Sequence, residues 1–219
     1  YVGLPLARVF LDAGFRVVGL DTDTDKVASL RAGRTYIAHI PDAAIAAAVA
    51  AGFAPTTDFA AAAACDAILV CVPTPLTANR EPDMTFVERS CRDLLPHLRP
   101  GQLIVLESTT YPGTTDEVMR PILESGGLVA NRDFWLAYSP EREDPNNPDF
   151  RTRTIPKVVG ADDPVALELA TALYAGLLLA VREGLEKLGE DVHQLSYQLH
   201  RMVLDELGLE EALRAECER

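Results

Sequence analysis

Two residues near the start of this 219-residue sequence have types and a spacing that could hold a phosphorylated ligand. Gly3 opens a run with helical apolar spacing, and Asp21 closes an apolar run about 20 positions on. In an open parallel sheet a glycine turn, here Val2-Gly3, lets a pyrophosphate approach a helix N-terminus. An acidic residue ending the next strand then accepts from ribose hydroxyls. The full fingerprint asks for three glycines, and only Gly3, in the place of the third, is present. Asp21 keeps a second reading, as cap of the helix that follows. Lys26, one helical turn further, either reaches the same ribose or stands as a solvated cation. Thr74 and Thr109 follow apolar runs close to prolines, where a hydroxyl either meets a ligand or caps a turn. Glu141, after Ser139-Pro140, is a charged residue in a polar loop, the ordinary setting of a solvated side chain.

Other chemistry-bearing residue types point nowhere. His39, His97, His193 and His200 form no cluster. Tyr111, Trp135 and Tyr138 read as packing rings. Cys65, Cys71, Cys91 and Cys217 show no metal-ligand spacing, and Cys65 and Cys71 flank an apolar run where reduced thiols act as small hydrophobes. The expected setting is reducing and cytoplasmic, without disulfide or zinc.

The elements that must position these groups alternate. Helices are expected over 4–14, 25–32, 43–51, 83–98, 114–124 and 163–175. Strands are expected over 15–20, 66–72, 103–106, 134–138 and 157–159. Strands apolar on both faces belong to parallel sheets covered by helices, so the fold class is α/β, a doubly wound parallel Rossmann-like sheet. From 177 to 219 the pattern turns wholly helical, with Val192, Leu195, Leu199, Met202 and Val203 at helical spacing, which places a domain boundary at about 176.

Composition narrows the function. Apolar content of 48% with 24% charged residues is that of a globular chain. A net charge of −13 argues against a nucleic-acid partner, whose phosphates require Lys and Arg. The longest apolar stretch, Ala-rich and over 43–55, falls short of the ~20 residues of a membrane span, and no signal peptide is visible.

Five segments together carry a resemblance: YVGLPLA (1–7), VGLDTDTDKV (18–27), VPTPL (72–76), ESTTYPGTT (107–115) and AYSPEREDP (137–145). In this order and spacing they resemble the NAD-binding domain of the nucleotide-sugar dehydrogenases, the UDP-glucose/GDP-mannose dehydrogenase family. The SPERE form of the last segment looks more like the enzymes that oxidise UDP-N-acetylhexosamines. The resemblance implies NAD-dependent oxidation of the C6 alcohol of a UDP-sugar to a carboxylate, through a thiohemiacetal on a cysteine. It implies that Val2 and Gly3 form the phosphate turn and that Asp21 and Lys26 contact the adenosine ribose. Val72, Pro73, Thr74 and Ser108 would line the cofactor. Thr109 would line it too and help hold the catalytic water. Glu141 would assist proton transfer and hydrolysis, and Arg142 would meet substrate phosphate. The intact enzyme would be a homo-oligomer.

Departures from the pattern set further expectations. The family's Gly-Gly-x-Cys loop is not in these residues, and Cys217 lies among acids that disfavour a thiolate, so the polypeptide alone is expected to be inactive. The missing glycines and the start at Tyr1 imply a first strand absent from the centre of the sheet, hence a poorly stable domain with weak NAD binding. Residues 178–219 resemble a dimerisation segment of sensor histidine kinases, although His200 is not the phospho-acceptor by position. Two alternatives to an enzyme fragment follow: a signalling or interaction protein with a dimerising tail, and a non-functional fusion product.

Overall fold

The computed structural model describes residues 2–77, 82–140 and 157–177. The chain divides into two compact units, Tyr1–Leu177 and Leu178–Arg219, and the described residues all belong to the first.

Helix α1 (Gly3–Asp12) carries Pro5 in its first turn, where a missing N–H costs nothing, and buries Leu4, Leu6, Val9 and Phe10. It ends on Gly14 at φ +85°, with Gly14 N–H donating to Leu11 O and Phe15 N–H to Phe10 O. That pair of bonds is the left-handed glycine stop read from the sequence. Strand β1 (Val18–Leu20) follows, then α2 (Thr24–Arg31) and α3 (Asp42–Ala50). Strands β2 (Ala54–Thr56), β3 (Ala67–Val70), β4 (Gln102–Leu106) and β5 (Phe134–Tyr138) come next in chain order. Helix α4 (Thr85–Leu94) lies between β3 and β4, α5 (Arg120–Glu124) between β4 and β5, and α6 (164–177) closes the unit.

All strand pairs are parallel, as apolar strands covered on both faces require. The order is β1-β2 in one sheet and β3-β4-β5 in another, and among the described residues no ladder joins β1 to β3. Side chains of β4 alternate between two layers. Leu103 and Val105 pack with Leu6, Val9 and Phe10 of α1 and with Ala170, Tyr174 and Leu177 of α6. Ile104 and Leu106 pack with Val87, Cys91 and Leu94 of α4 and Leu123 of α5. Leu20 and Val72 both lean on that second cluster, which sets the ends of β1 and β3 over one core. A third cluster joins α1, α2 and α3 through Leu4, Leu30, Ile45, Ala48 and Phe53.

Several elements differ from expectation. Strand β2 is only three residues long and contains Pro55, so its sequence carries no alternation to read. The expected helix over 83–98 is α4 followed by a 3-10 turn, Leu95–His97, because Pro96 has no N–H to continue the ladder. Asp83, the N-cap that its residue type suggests, stands one place too early: Met84 holds the N-cap position, and the Asp83 carboxylate accepts from Thr85 N–H at 3.0 Å. The segment 114–124 splits into a wide π-turn, Thr114–Met119, and α5, with Pro121 at the junction. The expected strand over 157–159 is instead an isolated antiparallel bridge between Tyr138 and Gly160, with both N–H···O bonds at 2.8 Å.

Candidate functional site

The C-terminal ends of parallel strands, where an open α/β sheet receives its ligand, carry most of the residues singled out from sequence. At the end of β1, Asp21 N–H donates to Thr56 O at 3.2 Å, and its Oδ1 accepts from Asp23 N–H at 2.9 Å. The helix cap is Asp23, not Asp21. Asp23 Oδ1 accepts from Asp25 N–H at 3.0 Å and Lys26 N–H at 3.1 Å. Those backbone donors, chiefly Lys26 N–H, hold the Asp23 carboxyl below the usual carboxylate range. The cap being supplied two residues later, Asp21 remains at the strand end with 37% of its side chain exposed. Lys26 Nζ stands 3.9 Å from Asp21 and 3.5 Å from Asp23. Asp21 and Lys26 are thus neighbours in space as in sequence.

The loops after β3 and β4 are sewn together. Ser108 is buried; its hydroxyl donates to Val72 O at 2.7 Å and accepts from Val72 N–H at 3.1 Å. Its hydrogen-bonding capacity goes into joining the two loops. Thr74 Oγ1 donates to Thr109 O, so the loop carrying Pro73 and Thr74 meets the one carrying Ser108 and Thr109. Thr109 is exposed there, and beside it Thr110 and Thr114 share a hydroxyl contact of 2.7 Å that folds the loop into the π-turn. Val2 begins α1, with Leu6 N–H donating to its carbonyl at 3.2 Å. A Cβ on Gly3 would lie 3.4 Å from Cys71 Cβ, so the helix start lies directly on the end of β3. That close helix–strand approach is what the third glycine of a dinucleotide turn provides. Glu141 and Arg142 lie outside the described residues.

One charged group at this end was given no role from sequence. Glu107, the residue after β4, is 1% exposed and receives Lys157 Nζ at 2.8 and 3.0 Å. The Tyr174 hydroxyl donates to the same carboxylate. Burial, and then the charge of Glu107, push the Tyr174 hydroxyl upward, so it stays protonated and donating. A buried carboxylate requires a partner, and here Lys157 and Tyr174 supply it. Neither Lys157 nor Tyr174 stands near it in sequence.

Neither Cys65 nor Cys91 is an activated nucleophile. Burial pushes the Cys91 thiol up to about 12 and raises that of Cys65. Among the described residues no group of His, Cys, Asp and Glu could hold a metal ion, and no helix is long and apolar enough to cross a membrane. A hollow of about 420 Å³ beside Val18, Phe53 and Ala54 contains none of the candidate residues.

Known proteins agree with this geometry. The model of the UDP-glucose/GDP-mannose dehydrogenase family's NAD-binding domain matches residues 1–178. The chain is 35% identical over 181 residues to UDP-N-acetyl-D-glucosamine 6-dehydrogenase of Pseudomonas aeruginosa, covering 82% of this chain and 42% of that protein. It is 36% identical over 185 residues to UDP-N-acetyl-D-mannosamine dehydrogenase of Escherichia coli strain K12, covering 80% and 43%. Among solved structures, NDP-N-acetyl-D-galactosaminuronic acid dehydrogenase from Methanosarcina mazei Go1 aligns with a TM-score of 0.73 at 31% identity, over 81% of this chain and 40% of that one. The chain spans less than half the length of these relatives. The likeness of 178–219 to sensor histidine kinases gains no support from the comparisons, and those residues lie outside the described ones. Its apolar spacing is that of any amphipathic helix. A parallel sheet with its glycine turn and its strand-end aspartate in these positions, matched over 1–178, makes the chain a member of the UDP-glucose/GDP-mannose dehydrogenase family, carrying that family's NAD-binding domain.

Proposed function

We propose that this chain is the cofactor half of an NAD-dependent nucleotide-sugar 6-dehydrogenase, acting on the C6 alcohol of a UDP-N-acetylhexosamine or UDP-glucose. The observation that carries the reading is Asp21 at the end of β1, relieved of capping by Asp23 and beside Lys26. The residues present fit a dinucleotide. A carboxylate faces out where ribose hydroxyls would sit, and the start of α1 lies against β3 with first-turn N–H groups that have no intrahelical acceptor. NAD⁺, when bound, supplies the hydride acceptor. Asp21 accepts from the ribose, Val2 and Gly3 present backbone to the pyrophosphate, and Val72 to Thr74 wall the cofactor. Ser108 keeps that wall joined to the loop bearing Thr109, whose hydroxyl positions water. Glu141 is assigned proton transfer and Arg142 substrate phosphate by resemblance to the family. We place the intact enzyme in the cytoplasm as a homo-oligomer, the reducing setting being in keeping with the thiols of Cys65 and Cys91.

Titration calorimetry with NAD⁺ tests the reading. The 219-residue polypeptide is expected to bind NAD⁺ without oxidising UDP-sugars. Asp21→Ala removes charged acceptors worth about 1.5–3 kcal/mol, weakening binding by about 10- to 100-fold. Unchanged affinity in Asp21→Ala would refute the placement.

A further inference from the structure

Tyr36 is a large aromatic side chain held outward beside Asp21, and its flanking contacts oppose its turning in. Thr35 N–H donates to Asp42 Oδ1 at 2.7 Å. Thr35 Oγ1 donates to Ile37 O at 3.2 Å and accepts from Ile37 N–H at 3.0 Å. Ile37 and Ile40 are sunk in the α1–α2–α3 cluster. The chain on both sides is therefore fixed, while Tyr36 remains 41% exposed. Lys26 Nζ lies 5.6 Å from the centre of its ring, and the same ammonium is 3.9 Å from Asp21. Ring and carboxylate share one cation. The Tyr36 hydroxyl is raised first by partial burial and then by the charges of Asp21 and Asp23, which places the ring within their field.

We propose that Tyr36 is an adenosine-binding residue whose ring packs against the purine of the dinucleotide. This rests on the reading of Asp21 as the ribose acceptor. A ribose held by Asp21 projects its base one glycosidic bond away, and a purine face and a phenol face stack favourably without sequence-like readout. Lys26, lying over the ring and next to both carboxylates, keeps the ring at that edge before ligand arrives. A surface cation–π pair alone would explain the Lys26 contact. It would not require the two isoleucines and the Asp42 clamp that keep the ring out.

The test uses the full chain, calorimetry, and three probes: NAD⁺, ADP-ribose and nicotinamide mononucleotide. Tyr36→Leu is expected to weaken NAD⁺ and ADP-ribose about tenfold, the lower part of the range for base–aromatic stacking, and to leave the mononucleotide unchanged. Tyr36→Phe is expected to bind both within about twofold of the parent chain, because the ring and not the hydroxyl makes the contact. A Lys26→Met/Tyr36→Leu double variant is expected to be weaker than Lys26→Met alone, since a direct contact adds to the loss of the cation. Thermal melting of each variant controls for folding. Parent-like ADP-ribose affinity in Tyr36→Leu overturns the proposal, as does a Tyr36→Phe loss equal to that of Tyr36→Leu, or a double variant no weaker than Lys26→Met. A parent chain that binds no NAD⁺ brings down the cofactor reading and this inference together; a parent chain that binds with Tyr36→Leu unaffected brings down the inference alone.

Discussion

The two charged groups at the C-terminal ends of the strands are built in opposite ways. Asp21, Asp23 and Lys26 lie within six residues of one another, are substantially exposed, and contact each other at 3.5–3.9 Å. Glu107, Lys157 and Tyr174 come from the end of β4, the segment after 156 and α6, and the Glu107 side chain is wholly buried. An exposed ion pair contributes little to stability, because water already solvates both charges. A buried one is strongly destabilising when a single partner is removed, because the charge left behind is unsolvated. Asp21 therefore has affinity to give to a ligand, whereas Glu107 is committed to holding the fold. On the proposed reading, a carboxylate at the end of one strand serves binding and a carboxylate at the end of the other serves architecture.

The sharpest way to break that contrast is to exchange the two effects. Lys157→Met leaves the Glu107 carboxylate buried without its cation and is expected to cost about 3–5 kcal/mol, read as a fall in the denaturant midpoint. NAD⁺ affinity of the molecules that remain folded should stay near that of the parent. Glu107→Gln combined with Lys157→Met should recover part of the loss, since no uncompensated charge then remains. Asp21→Ala is the mirror image: a large loss of affinity, with stability held within about 1 kcal/mol because only an exposed ion pair and one local bond from Asp23 N–H go. If Lys157→Met abolished NAD⁺ binding at parental stability, Glu107 would belong to the binding site instead.

This division also explains what the sequence disclosed. The Asp21 corner was legible because its parts are close in the chain: an apolar strand, an acid at its end, a basic residue one turn on. Even there the choice between ribose acceptor and helix cap stayed open, since Asp21 and Asp23 have equal claims by composition. The cap bonds to Asp25 and Lys26 N–H decide it for Asp23. The parallel strands β3, β4 and β5 were legible because both their faces are apolar. Strand β2 was not, being three residues with a proline. It forms because β1 offers a parallel edge, with Gly19 opposite Pro55. The Glu107 cluster was illegible for a different reason: its partners lie 50 and 67 positions away. No local pattern reports such a distance. Ser108 shows a subtler gap. Its place in the loop read correctly, but its hydroxyl serves the backbone of Val72.

Ser108 gives the intermediate test. Ser108→Ala leaves Val72 N–H and O without their partner in a half-buried place, which is expected to cost about 1 kcal/mol. Because the hydroxyl joins the loops carrying Thr74 and Thr109, NAD⁺ affinity should fall with it by a few-fold. A stability loss with affinity intact would show that the two loops are held by the Thr74–Thr109 contact alone.

The smallest effect belongs to Asp23, and its sign follows from its environment. Its folded-state carboxyl lies below the ordinary value because backbone N–H groups of α2 favour the ionised form. The cap therefore contributes fully above the unfolded value of about 3.9, and that contribution disappears as pH falls through the lower folded value. Asp23→Ala should lower stability at neutral pH, since α2 loses its side-chain N-cap. The difference between parent and variant should shrink toward zero as the pH is lowered from about 5 to 2, measured by urea melts across that range. A gap that stayed constant with pH would mean that the carboxylate charge is not what holds α2, and that the exposed corner is kept in place by Tyr36 and Lys26 instead.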